Sequence, residues 1–239
     1  MEDCLVYFFT GFLDAGKTSV ICSWTDGERF KDAKVVIIAT EEGEEEYIKE
    51  NYPNADPVVI TADTENLNGD FTTDIEKKYQ PDIVFIEWNG SVSPSKFFEE
   101  CDVPQRWALA ASIVVIDTST YQDYYRNMQA IYADYYKDAT FTHFVTKSPD
   151  MKQVVNTNKA VVYVESINPG ISINFLNNDN VVVNIADHLP YDLNDNPCVI
   201  KDEDFGLFYT DALDNYKRYN GKRVTLIGEA LVFREMRGK

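Results

Sequence analysis

Basic residues are scarce in this chain of 239 residues, and long apolar runs are missing. It has 22 lysines and arginines against 40 aspartates and glutamates, which gives a net charge of −18. So acidic a surface repels nucleic acid and anionic membranes, and we expect neither as a partner. No apolar stretch approaches the length of a membrane span, and the acidic start of the chain is unlike a signal peptide. These features predict a cytoplasmic protein.

Cysteine and histidine are also few, and they are scattered. None of the four cysteines forms a CxxC or CxC pair, which indicates a reducing compartment and excludes a disulfide framework. The two histidines, His143 and His188, stand alone, and we interpret both as structural residues and not as metal ligands. The cysteines are Cys4, Cys22, Cys101 and Cys198.

The most informative stretch is CLVYFFTGFLDAGKT, from residue 4 to residue 18. Residues 5–9 are a short apolar run rich in aromatics, which predicts a buried strand. Residues 11–18 then match the phosphate-binding pattern GxxxxGK[ST] without a mismatch. Chance would produce this pattern in roughly one chain in a hundred of this length. The strand and the loop together predict a site for a polyphosphate.

The residue types in this loop suit that chemistry. Gly11 and Gly16 allow the backbone to turn with its N–H groups around the phosphates. Lys17 supplies a positive charge, the hydroxyl of Thr18 can bind Mg²⁺, and a helix is predicted to begin here with its N-terminus facing the phosphates. The residues predicted to bind the nucleotide in this loop are Gly11, Asp14, Ala15, Gly16, Lys17, Thr18 and Ser19.

Acidic residues follow two further predicted strands. Residues 34–39 form a continuous apolar strand, and the acidic run of residues 40–46 comes directly after it. Residues 82–87 form another strand that ends in Glu87 and continues as Trp-Asn-Gly. An acid in this position can hold Mg²⁺ or its water, and the amide of the following Gly90 can meet a terminal phosphate. The pattern is weak alone and gains weight beside the phosphate-binding loop.

Strands and helices alternate six or seven times along the chain. Most of the strands are continuous apolar runs, which predicts an α/β fold with a mainly parallel sheet covered by helices on both faces. We expect a nucleotide-binding domain over residues 1–176 and a C-terminal segment over 177–239, the start of a small β domain. The other predicted elements are strands at 57–61, 112–117, 141–146, 160–164, 223–228 and 230–234, and helices at 74–79, 91–100, 118–136 and 211–219.

Five landmarks in order resemble the CobW-type family of P-loop GTPases over about residues 5–175. The family's GFLGAGKTT loop is GFLDAGKTS here, and its NEFGE is matched by TEEGE at residues 40–44. Its E-x-x-G before a small residue and proline is matched by residues 87–90 followed by Ser-Pro. Its VVDA is matched by VVIDT at 114–118, and its LNP by INP at 167–169.

The resemblance implies a set of roles for the matching residues. It implies GTP as the nucleotide, with Mg²⁺ held by Thr18 and Glu87. Glu41 senses metal or positions water, Gly90 senses the terminal phosphate, and Lys147 packs its stem over the base. The implied catalytic residues are Lys17, Glu41 and Glu87.

Two family motifs are altered. The metal-binding GCxCC has its best counterpart in GDFTT at residues 69–73, where every cysteine is replaced, so thiolate delivery of Zn²⁺ is not expected. The guanine-reading NKxD is replaced by TKSP at 146–149, with Asp150 one position late. The carboxylate that pairs with guanine is therefore displaced, which leaves ATP open beside GTP and predicts poor base selectivity.

The leading hypothesis is an Mg²⁺-dependent nucleotide hydrolase that handles metals or cofactors. No arginine finger is evident, so we expect slow turnover until a protein partner of unknown identity docks. A second hypothesis is a nucleotide-binding regulatory module with little hydrolysis, which the altered motifs favour. A third is an ATP-using P-loop kinase, although the chain shows no arginine-rich lid.

Overall fold

The strand that precedes the phosphate-binding loop lies in the middle of a mainly parallel sheet. The structure, a computed structural model, describes residues 3–43, 46–145, 158–183, 189 and 191–226. Its strands are β1 (Cys4–Thr10), β2 (Val35–Ala39), β3 (Val58–Thr61), β4 (Ile83–Glu87), β5 (Trp107–Asp117), β6 (Phe141–Val145), β7 (Ser172–Leu176), β8 (Val182–Val183), β9 (Cys198–Ile200) and β10 (Val224–Leu226). In the described residues the main sheet has the order β3-β2-β4-β1-β5-β6-β7-β8. Strands β1 to β7 run parallel and β8 is antiparallel to β7.

Helices cover both faces of this sheet. They are α1 (Lys17–Thr25), α2 (Gly69–Tyr79), α3 (Pro94–Glu100), α4 (Tyr121–Asn127), α5 (Gln129–Lys137), α6 (Asn158–Ile167), α7 (Phe205–Asp214) and α8 (Tyr216–Tyr219). The core on one face contains Phe9 of β1 and Ile21 of α1. The core on the opposite face contains Phe8 of β1 and Phe97 of α3, and a neighbouring cluster lies beneath α5 and α6. The predicted α/β architecture is confirmed.

Residues 160–164 are helical, so the strand predicted there is wrong. Their sequence, AVVYV, is apolar and β-branched, but a short apolar run cannot be distinguished from a segment of a buried helix by periodicity alone. In the structure Val161, Val164 and Ile167 recur at helical spacing on α6 and pack into the core beside β6 and β7. The parallel strand that follows is Ser172–Leu176.

The long helix predicted at 118–136 is two helices, α4 and α5, which meet at Met128. This residue leaves the helical conformation, with φ −135° and ψ 35°. Tyr124 of α4 stacks on Phe12 at 4.8 Å between ring centroids, while Tyr132 of α5 approaches the same ring edge-on at 5.2 Å. The break allows the two helices to contact one aromatic ring from two directions.

Helix α2 begins five residues earlier than predicted. Asn68 caps its first turn, because its side-chain oxygen accepts hydrogen bonds from the N–H groups of Asp70 and Phe71, each at 3.1 Å. Helix α3 is also capped: the Ser93 hydroxyl accepts a hydrogen bond from the N–H of Ser95 at 3.2 Å.

The C-terminal segment is divided between the main sheet and a small separate one. Strand β8 pairs with β7, and the side-chain amide of Asn180 donates to the Ser19 hydroxyl at 2.9 Å, so this part lies against the nucleotide domain. Strand β10 pairs in parallel with β9, an arrangement the sequence did not predict. Residues 230–234, predicted as a further strand, lie outside the described residues. The domain boundary at 176/177 stays a prediction.

His143 is packed in the core as a neutral ring. It lies in the middle of β6, and its two ring nitrogens have no hydrogen-bond partner among the described residues. The ring of Trp24 meets it edge-on at 5.9 Å. Burial lowers the pKa of His143 from 6.5 to about 4, because the charged ring would lose its hydration.

We therefore expect the protein to lose stability as the pH falls from 6.5 to about 4. In this window the unfolded chain binds a proton at His143 and the folded chain does not, which lowers the free energy of unfolding by about 3 kcal/mol over the whole window. Urea unfolding at several pH values measures the effect in the wild type and in His143→Leu. The leucine variant should lose less stability over this range, and an equal loss in both proteins would contradict the assignment.

Candidate functional site

The phosphate-binding loop of residues 11–18 joins β1 to α1. Three of its residues have positive φ angles: Gly11 at 141°, Asp14 at 58° and Gly16 at 96°. Glycine adopts such angles at little cost, and aspartate tolerates the left-handed region better than most residues. A Cβ added to Gly11 would lie 2.2 Å from the carbonyl oxygen of Val115, so β5 packs directly against the loop. A loop of this kind directs successive N–H groups into one concave site.

Lys17 is buried at the start of α1, with its side chain folded over the loop. Its ammonium donates to the carbonyl oxygens of Gly11 and Phe12, both at 2.9 Å, and forms an ion pair with Glu41. Glu41 follows β2 and comes from the acidic run that the sequence placed at a strand end. The loop lysine and this acid therefore meet at the carboxyl edge of the sheet, where open α/β sheets bind ligands.

Glu87 ends β4 and lies beside Thr18. The Thr18 hydroxyl donates to the Glu87 carboxylate at 3.0 Å, and the hydroxyl of Tyr47 donates to the same carboxylate. Burial raises the pKa of Glu87, while Lys17 and the two hydroxyls oppose that rise. Burial and the neighbouring Glu87 raise the pKa of Tyr47 well above its usual value, so the phenol remains a hydrogen-bond donor.

Gly90 packs closely against the backbone of the phosphate-binding loop. A Cβ on it would lie 2.1 Å from the Gly11 carbonyl oxygen and 2.9 Å from the Cα of Phe12. Its N–H donates to Glu41 at 3.2 Å, so one carboxylate contacts both Lys17 and Gly90. No side chain other than hydrogen fits at this position without moving the loop.

Sequence reasoning missed several residues that support the site. Tyr47 was passed over because nothing in its local sequence shows that it reaches Glu87, 40 residues away. Thr40 links two strand ends: its hydroxyl donates to the Glu87 carbonyl at 3.0 Å and accepts from the Asn89 N–H at 2.8 Å. Lys147, predicted to pack over the base, lies outside the described residues together with residues 146–150.

Two clefts open at this edge of the sheet. One of about 360 Å³ lies beside the Thr18–Glu87 pair and includes Tyr47 in its wall. The other, of about 810 Å³, runs from Phe12 and Leu13 of the loop to helix α5. Its remaining wall comes from the ends of β2, β3 and β4, so both clefts adjoin the phosphate-binding loop.

The position that corresponds to GCxCC lies on the first turn of α2, and its donors do not suit a soft metal. In the part of the chain that the structure describes, no three His, Cys, Asp or Glu side chains converge on a common metal position. The cysteines lie on separate elements, and burial raises the pKa of Cys4 to about 12 and that of Cys101 to about 11. Such thiols are protonated at neutral pH, whereas zinc binds thiolates.

We accordingly expect no zinc to remain bound after treatment with a competing chelator. Metal analysis of the chelator-treated protein tests this, because a structural thiolate site would retain one equivalent. A cysteine-free variant with all four cysteines replaced by serine is the matched control, and it should bind as little zinc as the wild type. Sulfur ligation in the X-ray absorption spectrum of stoichiometrically bound zinc would contradict the prediction.

A parallel strand, a GxxxxGK[ST] turn and a helix, with an acid at the end of the adjacent strand, define a P-loop nucleotide-binding domain. The model of the CobW/HypB/UreG nucleotide-binding domain matches residues 5–194, which is most of the chain. The chain belongs to this family, as the five sequence landmarks indicated. Among the described residues, no helix is both long and apolar enough to cross a bilayer.

Solved structures of similar fold include known GTPases. The Zn(II)-bound YjiA GTPase from E. coli is 20% identical with a TM-score of 0.54, and the match covers 74% of this chain and 58% of that one. HypB from Helicobacter pylori in complex with nickel is 16% identical with a TM-score of 0.51, and the match covers 92% and 90%. At these identities the likeness shows the fold alone.

Curated proteins share only a short segment with this chain. N-acetyl-gamma-glutamyl-phosphate reductase of Parabacteroides distasonis is 44% identical over 46 residues, 19% of this chain and 14% of the reductase. The same enzyme of Azobacteroides pseudotrichonymphae is 51% identical over 35 residues, 15% of this chain and 11% of that protein. Because the shared segment is a small part of each protein, no activity is inferred from it.

Proposed function

We propose that this chain is an Mg²⁺-dependent P-loop nucleotide hydrolase of the GTPase type that acts in metal or cofactor handling in the cytoplasm. The observation that carries the proposal is the pairing of loop residues with strand-end acids. Lys17 contacts Glu41, and Thr18 contacts Glu87, at one edge of the sheet. These contacts support the proposal, because phosphoryl transfer requires groups suited to phosphate and groups suited to a metal ion next to each other.

The donors present fit Mg²⁺. The Thr18 hydroxyl and the Glu87 carboxylate lie 3.0 Å apart, and both offer the hard oxygen atoms that this ion prefers. When bound, Mg²⁺ neutralises charge on the outer phosphates. In this proposal Thr18 and Glu87 would hold the ion directly or through water. The positive charge of the ion would favour the ionised Glu87 carboxylate and so oppose the rise in its pKa that burial causes.

In this proposal Glu41 positions the water that attacks the terminal phosphate. Its carboxylate now holds the Lys17 ammonium and the Gly90 N–H, the two groups that would contact the terminal phosphate. A bound triphosphate competes for both donors, which frees the carboxylate to accept a hydrogen bond from the attacking water. Lys17 then stabilises the outer phosphates, and catalysis comes from positioning and electrostatics.

A regulatory module with little hydrolysis is the second candidate. The observation that favours it is the composition of the 810 Å³ cleft, whose described wall contains Glu41, Glu42 and Asp63 but no arginine or lysine. Because the described wall of this cleft adds no arginine or lysine to the charge of Lys17, turnover is slow until a protein partner supplies a second positive side chain. Metal handling is proposed from membership of the CobW/HypB/UreG family. Of the structures with a similar fold, YjiA was solved with zinc and HypB with nickel.

Titration calorimetry with Mg²⁺–GTP and Mg²⁺–ATP, followed by single-turnover hydrolysis, tests the proposal. We expect both nucleotides to bind, since the displaced Asp150 predicts weak base selectivity. Slow hydrolysis that disappears in Lys17→Ala supports the hydrolase, and binding without hydrolysis favours the regulatory module. Absence of nucleotide binding would refute both. A preference for GTP of roughly 10⁴-fold would show that an acid reads the guanine after all.

A further inference from the structure

The hydroxyl of Tyr135 on α5 donates a hydrogen bond to the carbonyl oxygen of Gly90. Tyr135 is only 2% exposed, and the bond lies inside the protein. Burial, with smaller contributions from the charges of Glu41 and Asp134, raises the pKa of Tyr135 above its usual value. The phenol is therefore a protonated donor at neutral pH, and it provides the Gly90 carbonyl with a partner that water would otherwise supply.

The same tyrosine ring also contacts the phosphate-binding loop. Its centroid lies 5.6 Å from that of Phe12, in an edge-to-face arrangement. Phe12 is the residue whose carbonyl accepts a hydrogen bond from Lys17. One side chain of α5 thus touches both the loop and the glycine that packs on it.

Gly90 is held from three directions. Its Cα lies against the backbone of Gly11 and Phe12, its N–H points to Glu41, and its carbonyl points to Tyr135. The first contact limits how near the glycine can come to the loop. The second is the one that a terminal phosphate would replace. The contact with Tyr135 is made by the Gly90 carbonyl, an acceptor that a phosphate oxygen does not compete for, so it persists through such a replacement.

We propose that Tyr135 is a positioning residue: by holding the Gly90 carbonyl it fixes the place of Gly90, so that the N–H of this residue meets the terminal phosphate of a bound nucleoside triphosphate. The inference rests on the proposed function and adds a residue to that site. Without the hydroxyl, the Gly90 carbonyl loses its buried partner and the glycine shifts to recover one. The loop amides and Lys17 are unaffected, so contacts to the other phosphates remain.

The discriminating measurement is the ratio of affinities for a triphosphate and a diphosphate. Calorimetry with Mg²⁺ and either a non-hydrolysable GTP analogue or GDP gives both values for wild type and Tyr135→Phe. Loss of one hydrogen bond predicts that Tyr135→Phe binds the analogue about five- to tenfold more weakly, with GDP affinity within about twofold of the wild type. A purely structural role would change both affinities together.

The neighbouring residue provides a matched control. Tyr136 is also buried on α5, but its hydroxyl has no hydrogen-bond partner among the described residues. Tyr136→Phe removes an identical hydroxyl one residue away and should leave the affinity ratio unchanged. Wild-type binding with an unchanged ratio in Tyr135→Phe, or an equal change in Tyr136→Phe, would overturn this inference alone. Failure of the wild type to bind either nucleotide would overturn the proposed function with it.

Discussion

Lys17→Ala is expected to weaken binding of Mg²⁺–nucleotide by about 2–3 kcal/mol, the scale of a charge-assisted hydrogen bond. The ammonium is buried and contacts two loop carbonyls and Glu41, so it already lies where the outer phosphates would bind. Its removal takes away the positive charge and leaves the Glu41 carboxylate without its cation, facing an anionic ligand. Titration calorimetry with Mg²⁺–GTP measures the loss.

Lys31→Ala is the matched control for charge. Lys31 is an exposed lysine outside the loop, and its ammonium lies 3.5 Å from Glu28. Both substitutions make the net charge more negative by one, so any general electrostatic effect on an anionic ligand is common to them. Lys31→Ala should bind nucleotide like the wild type. Wild-type affinity in Lys17→Ala would refute the phosphate site.

Gly90→Ala is expected to impair both folding and nucleotide binding. The added methyl group would lie 2.1 Å from the Gly11 carbonyl oxygen and 2.8 Å from its carbon, and these are backbone atoms that cannot rotate away. The loop must shift, which should lower the free energy of unfolding by about 1–3 kcal/mol, the usual cost of overpacking. The same shift displaces an acceptor of the Lys17 ammonium, so nucleotide affinity falls as well.

Urea unfolding and calorimetry on the same samples measure these two effects. Gly206→Ala is the control, because a Cβ there would meet nothing within 4 Å and the residue lies in α7. Alanine is the better helix former, so this variant should be as stable as the wild type or slightly more stable. If Gly90→Ala matched it in stability and nucleotide binding, the close approach of residue 90 to the loop would be wrong.

The parts of the fold that could be predicted are those with a local physical cause. A buried parallel strand is a continuous apolar run, and residues 5–9 show it; a phosphate-binding loop needs glycines at fixed spacing, and residues 11–18 have them. The prediction at 160–164 was wrong because a five-residue apolar run satisfies a strand and a buried helix equally well. Only the packing of Val164 between α6 and the sheet decides between them.

The candidate site divides in the same way. Lys17, Thr18 and Glu87 could be named as candidate site residues from motifs, because each lies a fixed number of residues from a glycine or from a strand end. The contacts of Tyr47 and Tyr135 do not, because each side chain reaches a site residue 40 or more positions away. No local pattern distinguishes these two tyrosines from the thirteen others in the chain.

The sequence by itself determined the class of fold, the phosphate-binding loop and the acids that face it, because these depend on periodicity, glycine spacing and strand ends. Only the tertiary structure decided where the helix predicted at 118–136 breaks into α4 and α5, and which strand pairs with β10. It also decided which tyrosine hydroxyls donate to Glu87 and Gly90. Those features arise when segments far apart in the chain are packed into one volume. The energies of these contacts depend on the shapes of the packed side chains and on the distances between them, and neither can be read from a short stretch of sequence.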